Sequence, residues 1–339
     1  MNAMEQARGR WDAVAKPLHS LGLLEDAIVQ IAGVQDTPDV RMDKRCALVF
    51  CGDHGVVRQG VSQSGSGVTA LVAKSIAEGT GNINLMAAVA RADVLAVDMG
   101  MLTPVPGCVD RRVAAGTADM TEGPAMTRAQ AERALQSGMA LVGDMKARGY
   151  DIAVIGEMGI GNTTAASAIS SVLLGLPPEA VTGRGAGLSD AGLRRKVAAI
   201  KRAIAINRPD AEDPVDVLAK LGGFEIAGMA GACLGGYRHH IPTVTDGMIP
   251  NAAALVAARI CPEAVSAILP GHESKEPADR VILEALGMRP VIRAEMGLGE
   301  GTGGVLLLPL LDMALRVYRG THTFEGLGIE AYTPQGGAP

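Results

Sequence analysis

The sequence predicts an α/β fold built on a mostly parallel sheet. Short apolar runs at residues 47–50, 94–97, 152–155, 242–245 and 265–269 each give way within two residues to Gly, Asp or Pro. Longer helical patterns follow most of them, which is the alternation of βαβ units. The 44 glycines cluster in short runs after these apolar stretches, as expected where backbone must approach a ligand closely. In open parallel sheets ligands bind beyond the carboxyl ends of the strands, and that is where these glycine loops fall.

Residues 1–35 precede the alternation and read as amphipathic helix. Trp11, Val14, Leu18, Leu21, Leu24, Ile28 and Ile31 recur at helical spacing, with Pro17 marking a break or a new start. The strand–helix alternation takes over from about residue 44, with no fixed-period repeat and no low-complexity segment. The tail from Thr333 to Pro339 is rich in Gly and Pro and is expected to fray.

Hydrophobic residues make up 48% of the 339, enough to bury a sizeable core. With only one Trp, four Tyr and three Phe, aliphatic and Met side chains must form that core and wall any pocket for a flat ring. The net charge of −5 and the lack of a long Lys/Arg run argue against nucleic acid as a partner. Cys46, Cys51, Cys108, Cys233 and Cys261 show no metal-type spacing and read as small buried hydrophobes in a reducing compartment. His239-His240, His272 and His322 are scattered, and neighbouring residues on a strand point to opposite faces, so no metal is expected. The N-terminus carries acid and base before any apolar run, unlike a signal peptide. The longest greasy stretch, residues 305–315, is interrupted by Pro309 and Asp312 and is too short to span a bilayer. A cytoplasmic protein without membrane contact is expected.

Five loops carry candidate chemistry. Gly52-Asp53-His54-Gly55 follows the first strand; it reads equally as a pocket wall or as a tight turn with a hydrogen-bonded Asp–His pair. Gly156-Glu157-Met158-Gly159-Ile160-Gly161-Asn162-Thr163-Thr164 leads from a strand into a helix. Free N–H groups and the positive end of the helix dipole make such a turn a phosphate site, with Asn162 and Thr163 adding donors; alternatively these two residues are simple helix caps. The loop lacks the Gly-Lys-Ser/Thr ending of a Walker loop. Gly183-Arg184-Gly185 offers a guanidinium to a phosphate or carboxylate, or is a flexible loop before the basic helix start Arg194-Arg195-Lys196. Asp246-Gly247 at a strand end suits ribose hydroxyls, or a turn or cap. Gly299-Glu300-Gly301 holds a carboxylate between glycines, where burial tunes it for base work, or where it serves the helix dipole.

Taken in order, these segments resemble the nicotinate-nucleotide:dimethylbenzimidazole phosphoribosyltransferase family. The resemblance runs from about Lys16 to Tyr318. It includes Lys16-Pro17-Leu18-His19-Ser20-Leu21-Gly22, Gly52-Asp53-His54-Gly55-Val56, Gly60-Val61-Ser62 and Val68-Thr69. The Gly156–Thr164 and Gly183–Gly185 loops, Gly222-Gly223-Phe224-Glu225-Ile226-Ala227-Gly228, Asp246-Gly247, Ser274 with Glu276-Pro277, and Leu298-Gly299-Glu300-Gly301-Thr302-Gly303 complete it.

The resemblance implies a Rossmann-like sheet with helices on both faces in a large domain, residues 36–295. A small helical domain would form from both termini, residues 1–35 and 296–339. It also implies a dimer without metal or organic cofactor. By position, Glu300 corresponds to the family's catalytic glutamate and Glu157 to its second active-site glutamate. Gly159, Gly161, Asn162, Thr163, Gly183, Arg184, Gly185, Lys196 and Asp246 correspond to phosphate- and ribose-binding positions. Gln63, Leu71, Met158, Leu298 and Ser274 fall around the base. The implied reaction moves ribose 5-phosphate from nicotinate mononucleotide to 5,6-dimethylbenzimidazole or a related base in cobamide assembly.

The sequence departs from the family pattern mainly around that base. Gln63-Ser64-Gly65-Ser66-Gly67 replaces an aromatic-Pro stretch, Leu71 stands where a Gln is usual, Gly297 replaces a basic residue and His19 a Gly. Two alternatives stay open. One is a phenol-activating variant forming an O-glycosidic link as one subunit of a heterodimer with a paralogous chain. The other is a non-catalytic phosphosugar-binding subunit.

Overall fold

A computed structural model describes residues 2–333. Six strands form one parallel sheet: β1 Arg45–Gly52, β2 Ala92–Gly100, β3 Val109–Asp110, β4 Ile152–Met158, β5 Thr243–Thr245 and β6 Ile268–Pro270. Their order is β3-β2-β1-β4-β5-β6, the doubly wound order of dinucleotide-binding folds. The chain reverses its direction of travel across the sheet between β1 and β4, so a crevice opens beyond their carboxyl ends. Phe50 pairs with Glu157 and Cys51 with Met158 at that end.

Both faces of the sheet are covered, which explains why its central strands are apolar throughout rather than alternating. Cys46, Leu48 and Phe50 point into one apolar cluster with helices Arg128–Ala147, Asn162–Leu174, Phe224–His239 and Met248–Ile260. Ala47, Val49 and Cys51 point into the other, with helices Ala3–Ala13, Leu23–Gln35, Asn82–Val89 and Thr302–Gly320. Glycines bring the two best-packed helices of the first layer to backbone contact: a methyl group at Gly138 would lie 1.9 Å from the Gly228 carbonyl oxygen.

The terminal segments meet, with the Trp11 and Tyr318 rings 5.0 Å apart and the Ala15 N–H donating to the His322 carbonyl at 2.9 Å. They share their apolar cluster with the sheet. The N-terminal helical pattern is split around Pro17 into Ala3–Ala13 and Leu23–Gln35. One local expectation needs correction. Residues 262–267 wind as a 3-10 helix opened by Pro262, so the last strand begins only at Ile268. The last long helix starts at Thr302 and carries Pro309 inside it. The expected frayed tail lies, beyond Thr333, outside the described residues. No helix among the described residues is long and apolar enough to cross a membrane.

Candidate active site

A cavity of about 300 Å³ opens beyond the carboxyl ends of β4, β5 and β6. The loop after β4, the loop around Asp246, the segment His272–Glu276 and the segment Gly297–Glu300 line it. Glu157, Met158, Gly159, Asn162, Thr163, Gly185, Asp246, Ser274, Leu298 and Glu300 all reach its wall.

The two glutamates are built together by glycines. Gly299, Glu300 and Gly301 take three successive left-handed φ values of 85°, 62° and 92°. This coil lays the loop directly on β4: a methyl group at Gly156 would sit 2.4 Å from Gly301 N, and one at Gly299 2.6 Å from Glu157 Oε1. The Glu300 N–H donates to the Glu157 carbonyl at 3.2 Å. The Glu300 carboxylate is buried and accepts from Ile83 N at 3.2 Å and from Asn82 Nδ2 at 3.3 Å. It thus caps helix Asn82–Val89, whose own N-cap, Gly81, has no side chain to offer. The dipole reading of Glu300 holds, but for a different helix from the one it precedes in sequence.

Burial pushes the Glu157 carboxyl up to about 8; the Asn162 amide, donating to Oε2, opposes this, and the nearby carboxylates Asp246, Glu225 and Glu300 add to it. Burial thus favours the protonated form of Glu157. Asn162 is spent on Glu157 and does not cap its own helix. The N-cap there is Gly161, at φ 99°, where a side chain would also strike Val57.

The phosphate-type end of the cavity has a buried cation behind it. Lys196 is fully buried, and its Nζ donates to Thr163 Oγ1 at 2.8 Å and to the Gly183 carbonyl at 3.1 Å. Desolvation lowers its pKa to about 8, with Glu276 pulling the other way. Glu276 accepts from Gly185 N at 3.0 Å, and a methyl group at Gly183 would fall 2.1 Å from its other oxygen. The Thr163 hydroxyl, polarised by the ammonium at the positive end of the helix, offers an anion a seat.

Several expected ligands lie elsewhere. Arg184 donates to the Leu188 carbonyl and pairs with Asp190 at the surface, turned away from the cavity because Asp190 opens the next helix. Both oxygens of Asp246 are taken by the start of helix Thr302–Gly320: Gly301 N at 3.0 Å, Gly303 N at 2.7 Å and Gly304 N at 3.3 Å. The cap reading describes its contacts; burial raises its carboxyl to about 7 against these bonds. Leu71 is 67% exposed, and its neighbour Val72 reaches the cavity instead. Gln63 donates to the Ala186 carbonyl at 3.1 Å and braces the 184–187 loop. The Asp53–His54 pair does not form: His54 Nε2 lies 2.5 Å from Glu225 Oε1, while Asp53 accepts from Leu102 N at 2.7 Å.

Glu225, Glu276, Asn82 and His272 were not singled out for a role. Glu225 and Glu276 sit in family-like motifs, yet their partners are 171 and 91 residues away. Local pattern carries no sign of such pairs. His272 is buried against Asp246 at 3.5 Å, and a methyl group at Gly303 would overlap its Nδ1. Among the described residues no group of three or more His, Cys, Asp or Glu is placed to hold a metal ion.

A doubly wound sheet with a carboxylate, an apolar slot and a cation-backed hydroxyl beyond the carboxyl ends of its strands defines an α/β enzyme acting on a phosphorylated small molecule. A family model described as phosphoribosyltransferase matches residues 1–329. Nicotinate-nucleotide–dimethylbenzimidazole phosphoribosyltransferase of Acetivibrio thermocellus is 43% identical over 334 residues, covering 98% of this chain and 95% of the relative. The enzyme of the same name from Geobacter metallireducens is 44% identical over 330 residues, covering 96% and 94%. The crystal structure of CobT from Thermus thermophilus superposes with a TM-score of 0.91 at 41% identity, covering 97% of this chain and 99% of that one. The chain belongs to the nicotinate-nucleotide–dimethylbenzimidazole phosphoribosyltransferase family.

Proposed function

We propose that the chain transfers ribose 5-phosphate from nicotinate mononucleotide to 5,6-dimethylbenzimidazole or a related azole, giving the α-riboside 5-phosphate and nicotinate for cobamide assembly. The observation that carries this is the convergence of Glu300, an apolar slot and the Lys196–Thr163 anion seat on one cavity. The pyridinium of the donor is already cationic, so the C–N bond breaks with its electron pair returning to the ring and no general acid is needed. One azole nitrogen attacks the anomeric carbon while Glu300 takes the proton from the other. Met158, Leu298 and Val72 wall the flat ring, a role that the scarcity of aromatics leaves to aliphatic residues. Glu157, which burial biases toward its protonated form, sits beside Glu300 and supports the loop that carries it. The anion seat fixes the ribose phosphate, so the reaction runs within one bound complex.

The quaternary reading is a homodimer. Leu71, Leu85, Val89, Leu306 and Met313 are exposed on three helices near the cavity, Gly67–Ala77, Asn82–Val89 and Thr302–Gly320. A second copy covering them would close the site. Nicotinate release by the purified chain, offered dimethylbenzimidazole, adenine and phenol in parallel and paired with sedimentation, tests both readings. Release with an azole by a dimer is expected. Release only with phenol, or only after a second subunit is added, would transfer the assignment to the O-glycoside-forming heterodimer. Binding of the donor without release under any condition would leave a non-catalytic subunit.

A further inference from the structure

The cavity wall carries four acidic side chains and one lysine, Lys275. Its ammonium makes no hydrogen bond or ion pair among the described residues, whereas all four acids beside it are engaged. Glu276 reaches Gly183 and Gly185, Asp246 caps a helix, Glu157 holds Asn162 and Glu300 holds helix Asn82–Val89. The lysine stem lies where Gly297 leaves room. A methyl group at Gly297 would stand 2.5 Å from Lys275 Cε and 3.2 Å from its Nζ. Any side chain at position 297 would evict it, so the absence of a cation at 297 is matched by one reaching the same place from the neighbouring segment. The Lys275 N–H also donates to the Met296 carbonyl at 3.2 Å, which fixes the two segments side by side.

Lys275 and Glu276 are consecutive and reach opposite sides of the cavity. Glu276 points to the Gly183–Gly185 loop, where Lys196 and Thr163 make the anion seat. Lys275 points to Gly297 and hence to the segment that carries Leu298 and Glu300. The cavity therefore has a cation at each of two places, one behind the phosphate seat and one beside the ring slot. A ligand that satisfies both has two anionic groups, one on its sugar and one on its ring. The neutral acceptors have neither.

We propose that Lys275 binds the ring carboxylate of the donor and makes the enzyme select a nicotinate nucleotide over its nicotinamide counterpart. The inference rests on the proposed reaction for the identity of the donor. The two nucleotides share ribose, phosphate and pyridinium and differ only in carboxylate against carboxamide. A charge-assisted hydrogen bond to the carboxylate is the interaction that tells them apart.

The test is the affinity of the full-length protein for nicotinate mononucleotide and for nicotinamide mononucleotide, by calorimetry, in the parent, Lys275→Met and Lys275→Arg. The steady-state KM for each donor is measured alongside. Lys275→Met is expected to weaken nicotinate mononucleotide by about tenfold or more and leave the nicotinamide form nearly unchanged; Lys275→Arg restores the preference. Equal weakening of both donors would assign Lys275 to the phosphate and overturn the proposal. So would a parent enzyme that binds the two alike, or a Met variant that keeps the parent's preference. A parent that prefers nicotinate mononucleotide but never releases nicotinate would sink the proposed reaction while leaving the carboxylate contact standing.

Discussion

Replacing Asp246 by Ala separates a residue that holds the active-site loop from one that holds ribose. In the folded protein the carboxylate accepts from Gly301 N at 3.0 Å, Gly303 N at 2.7 Å and Gly304 N at 3.3 Å. Alanine leaves these three buried donors without an acceptor. An orphaned buried N–H costs about 1–3 kcal/mol. The lower end applies, because the burial that lifts the Asp246 carboxyl to about 7 is a cost that alanine removes. Three donors then amount to about 3 kcal/mol. For a chain of 339 residues that lowers Tm by about 4 °C. Gly301 is the residue after Glu300, so the proposed base moves with it, and a displacement of about 1 Å costs roughly a hundredfold in turnover. Thermal unfolding of the ligand-free variant, followed by kcat and KM for nicotinate mononucleotide, reads both effects. An unchanged Tm together with a raised KM would refute the capping role and return Asp246 to the sugar.

Three further outcomes are expected. Glu300→Gln should fold and bind nicotinate mononucleotide but lose about a hundredfold to ten-thousandfold in kcat, and parent-like turnover would remove Glu300 as the base. Glu157 keeps its proton in the folded protein up to about 8, while the unfolded chain loses it near 4.5. The native state therefore binds more protons across that window, and stability falls as pH rises through it. Asp246 and Asp279 act in the same sense. Urea midpoints measured across the window should show a shallower fall for Glu157→Gln, and a slope equal to the parent's would contradict the assignment. Arg184→Ala should leave KM for the donor within about twofold, since its ion pair with Asp190 is exposed; a large rise would mean that the guanidinium reaches the phosphate.

The sheet was legible because its central strands are buried on both faces. Residues 47–50 and 152–155 are unbroken apolar runs that lead into glycine, and each lies inside an observed strand. Strand β3 escaped notice because two residues, Val109 and Asp110, cannot display a period. Residues 265–267 were read as strand because they are small or apolar, yet Pro262 fixes the preceding backbone in a helical turn. The glycine loops of the site were legible for the same reason as the strands, since turn chemistry is local. What could not be read was which group each side chain meets. Asp246 serves a helix start 55 residues downstream, Glu300 one 217 residues upstream, and Lys275 fills a space defined by a missing side chain. Such pairings are set by how the layers stack, and only the assembled fold contains that information.

The left-handed backbone at Glu300 bears on how this position changes over generations. A non-glycine residue there carries a strain of about 1–3 kcal/mol. Two long hydrogen bonds, at 3.2 and 3.3 Å, return only part of it. A single-base change from a glutamate codon reaches glycine, which relaxes the backbone between two residues that are already Gly299 and Gly301. The carboxylate also caps helix Asn82–Val89, worth about 0.5–2 kcal/mol, so exchange for Gly removes strain and cap together and the net folding pressure to keep it is small. A lineage that had stopped using the reaction would lose Glu300 early, well before the sheet or the phosphate seat decayed. Under the proposed mechanism, the presence of Glu300 in an otherwise glycine-built coil reflects selection on chemistry as well as on the cap it provides.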